Sequence, residues 1–398
     1  MISPWLGRCV EALSNAQRVE FSSASAAGPV CGRPLTPCQA RSRTLSFMQI
    51  RPTRSFVRLA AALALGASVL SGCVVGEGDT RHLQPLPAKL VAQMSAKGMT
   101  QADPIFVRIY KKESELEVWK RDRSGSYALL KTYPMCRWSG QLGPKKQEGD
   151  RQAPEGFYTV TADLMNPRSQ FYLSFNLGYP NTLERSLGYS GSALMVHGAC
   201  TSAGCFAMTD DGVTEIFGLA REAFASGQAS FQVQALPFRM TPENMARYRG
   251  NANIAYWRNL KEGVDHFDAT RQPPRLAACG GRYVFNVNGD TSSFDPAGPC
   301  PAYEVEPAVQ SLVSARNARD EARVAEFVSA GVPATSFAYA DGGMHPRFRN
   351  LLRTMGPERM QAMVSGKIAI SRPEAALKDP FDGDAPAEPA TTGSLGTD

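Results

Sequence analysis

Within the seventeen residues MVHGACTSAGCFAMTDD (195–211) the chain carries one histidine and two cysteines. Cys205 follows His197 by eight positions, with Gly198 after the histidine and Gly204 before the cysteine. An imidazole beside a thiol can take its proton and later return it to a leaving amine. Cys205 stands just ahead of a helix expected to start near Thr209. Backbone N–H groups at such an entry stabilise a thiolate, lower its pKa, and can cradle an oxyanion. The glycines let backbone approach a reacting carbonyl without an obstructing Cβ. The spacing therefore reads as a Cys–His nucleophile pair.

The same residues admit three other readings. His197, Cys200 and Cys205 could be zinc ligands, although a fourth from His266, Cys279 or Asp210 has no familiar spacing. Cys200 and Cys205 could be joined, leaving no nucleophile. His197 could be a satisfied core histidine.

These residues need elements to hold them. Period-two alternation predicts short strands over residues 105–110, 116–118, 127–133, 157–160, 170–175, 193–197 and 230–235. Between the last two, Thr209, Asp210 and Asp211 offer N-caps for a helix with Val213, Ile216, Phe217, Ala220 and Phe224 on one face. Residues 104–236 thus form a mostly β domain, a small sheet or open barrel with one helix behind the key loop. Residues 73–103 read as a tether with a short helix near Leu90 and Met94. Beyond Pro237 the pattern is mainly helical to residue 370, with helices expected over 242–264, 306–331 and 348–364. The acidic, Pro- and Ala-containing tail 371–398 reads as disordered. The expected fold class is α+β.

The 398 residues carry a formal charge of +6, which naively suggests an anionic partner. The excess lies entirely in residues 1–72, which hold eight Arg, no Lys and two Glu. The rest is formally neutral, and no nucleic-acid partner is expected. Arg51, Arg54 and Arg58 precede the apolar run LAAALALGASVL (59–70), which is shorter than the roughly 20 residues of a spanning helix. The run ends Leu-Ser-Gly-Cys at Cys73, which resembles a bacterial lipobox. Residues 48–72 are thus expected to be a lipoprotein signal peptide starting at Met48, with 1–47 an over-extended N-terminus and Cys73 the lipidated residue. Export leaves Cys136, Cys200, Cys205, Cys279 and Cys300, an odd number in an oxidising compartment. Cys136 and Cys200 read as buried thiols or as a pair. Cys279 and Cys300 flank a turn-rich segment that a disulfide would close.

Further stretches carry a resemblance. CRWSGQLGPK (136–145), EGDRQAPEGFY (148–158), NPRSQFYLSFN (166–176), Tyr179-Pro-Asn181 and the site motif from His197 to Asp210 resemble the YkuD-type L,D-transpeptidase domain in its YafK-like branch. The resemblance covers roughly 104–236. It implies Cys205 as nucleophile, His197 as base and the Gly198 carbonyl as the group orienting the imidazole, with Gly204 leading into the nucleophile. The wider family has a longer His-to-Cys interval and often a second histidine where this chain has Ala203; the branch shares both departures. It implies a periplasmic enzyme acting on peptidoglycan stem peptides, with an envelope protein as a second acceptor, a lipid anchor in the membrane, and no cofactor or metal. Val74 after Cys73 leans toward the outer membrane. Arg151, Asn176, Tyr179, Asn181 and Ser202 are candidate substrate contacts; turn-capping is their bland alternative. The branch also contains an enzyme that hydrolyses the bond between peptidoglycan and a lipoprotein. A non-catalytic wall-binding lipoprotein, locked by a Cys200–Cys205 bridge, is the alternative of another class.

Overall fold

The structure is a computed structural model and describes residues 79–335, 337–365, 368–371, 374–377 and 380. The expected signal peptide, Cys73 and the tail beyond 380 lie outside the described residues.

Among the described residues there are twelve strands: β1 (Ile105–Tyr110), β2 (Glu115–Arg121), β3 (Tyr127–Pro134), β4 (Arg137–Trp138), β5 (Gly156–Thr161), β6 (Met165–Asn166), β7 (Ser174–Asn176), β8 (Met195–His197), β9 (Phe206–Ala207), β10 (Ser230–Leu236), β11 (Leu276–Cys279) and β12 (Arg282–Phe285). They form two five-stranded sheets, ordered β3-β2-β1-β10-β5 and β4-β9-β8-β7-β6, plus the β11–β12 hairpin. β1 runs parallel to β10 and β8 parallel to β9; the other pairings are antiparallel. The helices are α1 (Ala88–Ala96), α2 (Thr182–Ser186), α3 (Asp210–Ala225), α4 (Pro242–Arg247), α5 (Ile254–Thr270), α6 (Pro307–Ser329), α7 (Pro346–Gln361) and α8 (Glu374–Leu377). The fold is α+β, with both five-stranded sheets between residues 105 and 236 and mainly helices after β10.

One core fills the space between the sheets and α3. Val107, Ile109, Val118 and Val233 come from the first sheet, Phe175, Val196 and Phe206 from the second, and Val213, Ile216 and Leu219 from α3. Thr209 caps α3, its side chain accepting from the Gly212 N–H. The stretch expected to be a tether is partly core, because Leu86, Leu90, Met94 and Met99 are buried in this cluster.

All six residues of β1 are buried, since the face that alternation would leave in solvent is covered by a second core. There Tyr110, Phe157 and Leu236 meet Trp257, Leu260 and Val264 of α5. The helix expected over 242–264 is broken. Asn251 accepts from the Asn253 N–H in an Asx turn, and Gly250 and Asn251 interrupt the run between α4 and α5. The expected strands 170–175 and 193–197 are shorter, at 174–176 and 195–197.

A third cluster joins the two chain ends of the site. Met344, Phe348, Met360, Val364 and Ile370 pack on Cys136 and Cys200. Arg137, fully buried, donates to the Asp341 carbonyl at 2.6 Å and carboxylate at 3.1 Å, to Ser371 Oγ at 3.2 Å and to the Gly343 carbonyl at 3.3 Å. Ser371, expected to open the tail, thus belongs to this clasp; its N–H also donates to the Cys200 carbonyl at 3.3 Å.

Candidate active site

The register of the second sheet assembles the site. His197 ends β8 with Ala207 of β9 beside it, so Cys205, two residues before Ala207 on a parallel neighbour, lies level with Met195. Side chains two apart on a strand share a face. With the alternation carried one residue ahead of β9, Cys205 falls on the His197 face, one row away. Cys205 is the free cysteine among the described residues. Cys136 is joined to Cys200 and Cys279 to Cys300. The Cys200–Cys205 bridge is thereby excluded, and Cys200 is unavailable to a zinc ion.

The loop from His197 to Cys205 is built on backbone that needs outside support. Ala199 and Cys200 both have positive φ, 66° and 47°. Such residues cost about 1–3 kcal/mol each. The Cys136 disulfide holds the loop, as do bonds from the Cys200 N–H to the Met208 carbonyl at 3.3 Å and from the Met208 N–H to the His197 carbonyl at 2.7 Å. Asp210 completes the brace. One oxygen accepts from the Ala199 N–H at 2.9 Å, and the other from Ser365 N–H and hydroxyl, both at 2.5 Å. A Cβ on Gly198 would lie 2.7 Å from that Asp210 carboxylate and 3.0 Å from the Phe171 carbonyl, so only glycine fits.

His197 is buried, and its Nδ1 lies 2.6 Å from the Gly198 carbonyl. An acceptor at that distance requires the proton on Nδ1, which leaves Nε2 as the basic nitrogen. Burial pushes the imidazole down to about 4, against a smaller upward pull from the Gly198 carbonyl. Burial pushes the Cys205 thiol up, opposed by the Met195 backbone and the Lys145 ammonium. At rest the thiol donates to the Ala193 carbonyl at 3.7 Å. This corrects the expectation of a lowered thiol pKa. β9 and Met208 stand between Cys205 and α3, and Thr209 and Asp210 already engage nearby N–H groups at its entry. The pair at rest is neutral thiol and neutral imidazole.

The expected oxyanion donors are also occupied. Ser202 Oγ accepts from the N–H groups of Cys205 at 3.1 Å and Gly204 at 3.3 Å, and donates to the Cys205 carbonyl at 2.7 Å. Ser202 sits 3.1 Å from Ser139 Oγ, which donates to the Arg151 carbonyl at 2.8 Å. The other candidate substrate contacts divide in the same manner. Asn176 shares the Cys205 face and accepts from the Gly178 N–H. Tyr179 is buried and donates to the Lys145 carbonyl at 3.1 Å. Asn181 caps α2 in a capping box with Glu184 and donates to the Phe157 carbonyl and Tyr283 hydroxyl. Arg151 alone of the five keeps an exposed side chain (57%), with Asp341 at 3.7 Å.

Sequence reasoning missed Lys145, Asp210 as a loop brace, and the Asp341, Ser365 and Ser371 clasp. Lys145 lay inside a quoted motif; the clasp residues carried no local signal.

Comparison with known proteins gives the family. The YkuD L,D-transpeptidase catalytic domain matches residues 104–226. The chain is 42% identical over 188 residues to "Putative L,D-transpeptidase YafK" of Escherichia coli strain K12, covering 47% of this chain and 76% of that protein; the O157:H7 protein matches equally. Among solved structures, the helical cell shape determining protein Pgp2 of Campylobacter jejuni aligns with 16% identity and a TM-score of 0.28 over 49% of this chain and 80% of that one. Bd1075 of Bdellovibrio bacteriovorus aligns with a TM-score of 0.24 over 35% of this chain. The chain belongs to the YkuD family of L,D-transpeptidase-domain proteins, on its YafK-like branch.

Proposed function

We propose that this protein is a cysteine L,D-transpeptidase acting on peptidoglycan stem peptides through an acyl-enzyme thioester. The observation that carries the reading is the unpaired Cys205 one row from a histidine whose Nδ1 proton is committed to the Gly198 carbonyl.

The chemistry follows from the neutral resting pair. The thiol turns from the Ala193 carbonyl toward His197 Nε2, which takes its proton as sulfur attacks the carbonyl at the L-centre of diaminopimelate in a tetrapeptide donor. The new C–S bond gives a tetrahedral oxyanion. Its collapse breaks the C–N bond, and the terminal D-residue leaves as an amine carrying the proton from imidazolium. An acceptor amine then attacks the thioester, His197 takes its proton, and C–S cleavage returns the thiol. A second diaminopimelate gives a 3→3 cross-link, and a lysine of an envelope protein gives a protein–wall linkage. The exposed Arg151 guanidinium supports a role in meeting a stem carboxylate. The cation-flanked apolar run and Cys73 support export to the periplasm with a lipid anchor, toward the outer membrane. Among the described residues no helix is long and apolar enough to cross a membrane.

The test is incubation of purified sacculi with the protein and with Cys205→Ser, followed by muropeptide mass analysis. New 3→3 dimers or protein-linked stems that require Cys205 support the reading. Loss of existing linkages without new ones assigns hydrolysis instead, and identical digests from both proteins reject Cys205 catalysis.

A further inference from the structure

The register that aligns Cys205 also fixes what stands beside the base. Ser174 of β7 pairs directly with His197 of β8, and Ala207 of β9 is its partner on the other side. Asn166 and Arg137 extend the same row across β6 and β4. Directly opposed residues in an antiparallel pair point to one face with Cβ atoms about 4.5–5.5 Å apart. Ala207 offers only a methyl group, so Ser174 is the polar side chain next to the imidazole in its row.

Ser174 is fully buried, and its hydroxyl has no hydrogen-bond partner among the described residues. The other polar members of the row are engaged. Asn166 accepts from the Arg168 N–H, and Arg137 is held by the clasp. A buried hydroxyl without a protein partner destabilises a fold, and alanine would fill the same space at no such cost.

The surroundings of His197 suggest what the hydroxyl is kept for. When the ring takes a proton it gains a charge and a second N–H. Its Nδ1–H already uses the Gly198 carbonyl. The Phe171 ring lies against it at 4.7 Å. Asp210, the nearest carboxylate of the loop, spends both oxygens on Ala199 and Ser365. We propose that Ser174 is a positioning residue for the base: its hydroxyl is spare at rest and turns the negative end of its dipole to the imidazolium that forms during acyl transfer, whose Nδ1–H stays on the Gly198 carbonyl and whose Nε2–H goes to the leaving amine. The titratable and charged groups that share this face or border Gly198 are Cys205, Asp210, Arg137 and Tyr172. This inference rests on the proposed role of His197 as the base.

The test compares wild type with Ser174→Ala by three readouts. The imidazole titration of His197, followed by NMR, needs no catalysis and so separates this claim from the transpeptidase reading. The second is the pre-steady-state rate of Cys205 acylation by a carbapenem, and the third is the melting temperature. The expected result is a His197 pKa lowered further in the variant, acylation slowed about 5- to 30-fold, and an unchanged or higher melting temperature. An unaltered titration overturns the proposal. So does a fall in rate that is accompanied by loss of stability, which makes the hydroxyl structural. If the titration shifts while wild type forms no Cys205 adduct, the Ser174–His197 coupling stands and the transpeptidase reading fails.

Discussion

Where α5 meets β1 and α6, buried charge is answered by charge. Lys261 bonds Asp265 at 2.6 Å and Asp320 at 2.8 Å; Arg316 reaches Asp265 and Asp268, both at 2.9 Å; Arg108 reaches Asp268 at 2.8 Å. Around Cys205 the polar groups are handled differently. Burial pushes the His197 imidazole down and the Cys205 thiol up, and Ser174 Oγ has no hydrogen-bond partner among the described residues. The network on α5 spends its charges on fixing one helix against the sheet. In the proposed mechanism the Cys205–His197 pair separates charge only when substrate arrives. Stability and reactivity thus draw on opposite uses of the same low-dielectric interior.

This contrast can be broken from either side. His197→Ala removes the base and is expected to slow acylation of Cys205 by about 10²- to 10⁴-fold without unfolding the protein. Stopped-flow rates and circular dichroism check both halves. Asp265→Ala leaves Lys261 with Asp320 alone and Arg316 with Asp268 alone and is expected to cost about 1–3 kcal/mol in denaturant melts, with acylation of the folded fraction unchanged. If Asp265→Ala slowed acylation as much as His197→Ala, the two regions would not be separable.

The disulfides sharpen the comparison. Removing Cys136–Cys200, whose partners lie 64 residues apart, is expected to cost about 2–4 kcal/mol and also to slow acylation, because the bridge supports the loop carrying the Gly198 carbonyl. Removing Cys279–Cys300, separated by 21 residues, is expected to lower stability alone. Equal effects on rate from both double variants would deny the first bridge its special place.

A pH dependence tests the same contrast without a new contact being removed. Folded His197 titrates near 4, below its ordinary value of about 6.5. Between those values only the unfolded chain takes up the proton. Stability from this residue is therefore complete above about pH 6.5, declines as pH falls toward 4, and is flat below, by an amount on the order of 3 kcal/mol. Melts of wild type against His197→Ala across pH 4–7 should show the difference, which a constant offset would deny. The acid limb of acylation should likewise sit near pH 4.

The sequence was most legible where a local rule governs. Alternation located β1 and β10, Thr209 announced the start of α3, and the motifs around His197 and Cys205 pointed to the family. It failed where distant segments decide. No local pattern could show that Cys200 turns to Cys136 rather than to Cys205, or that Asp341 and Ser371 close on Arg137 from more than 200 residues away. The expected thiolate failed for a related reason. Proximity to α3 in sequence suggested a dipole effect, while β9 intervenes and burial acts in the opposite direction. The candidate substrate contacts were read by residue type alone, and four of the five already hold the protein's own backbone.

Intact-mass spectrometry after incubation with a carbapenem tests the central claim most directly. The account predicts one covalent adduct on wild type, mapped to Cys205 by peptide analysis and lost in Cys205→Ser. A natively folded, reduced-thiol protein that forms no adduct, or an adduct that persists in Cys205→Ser, would contradict it.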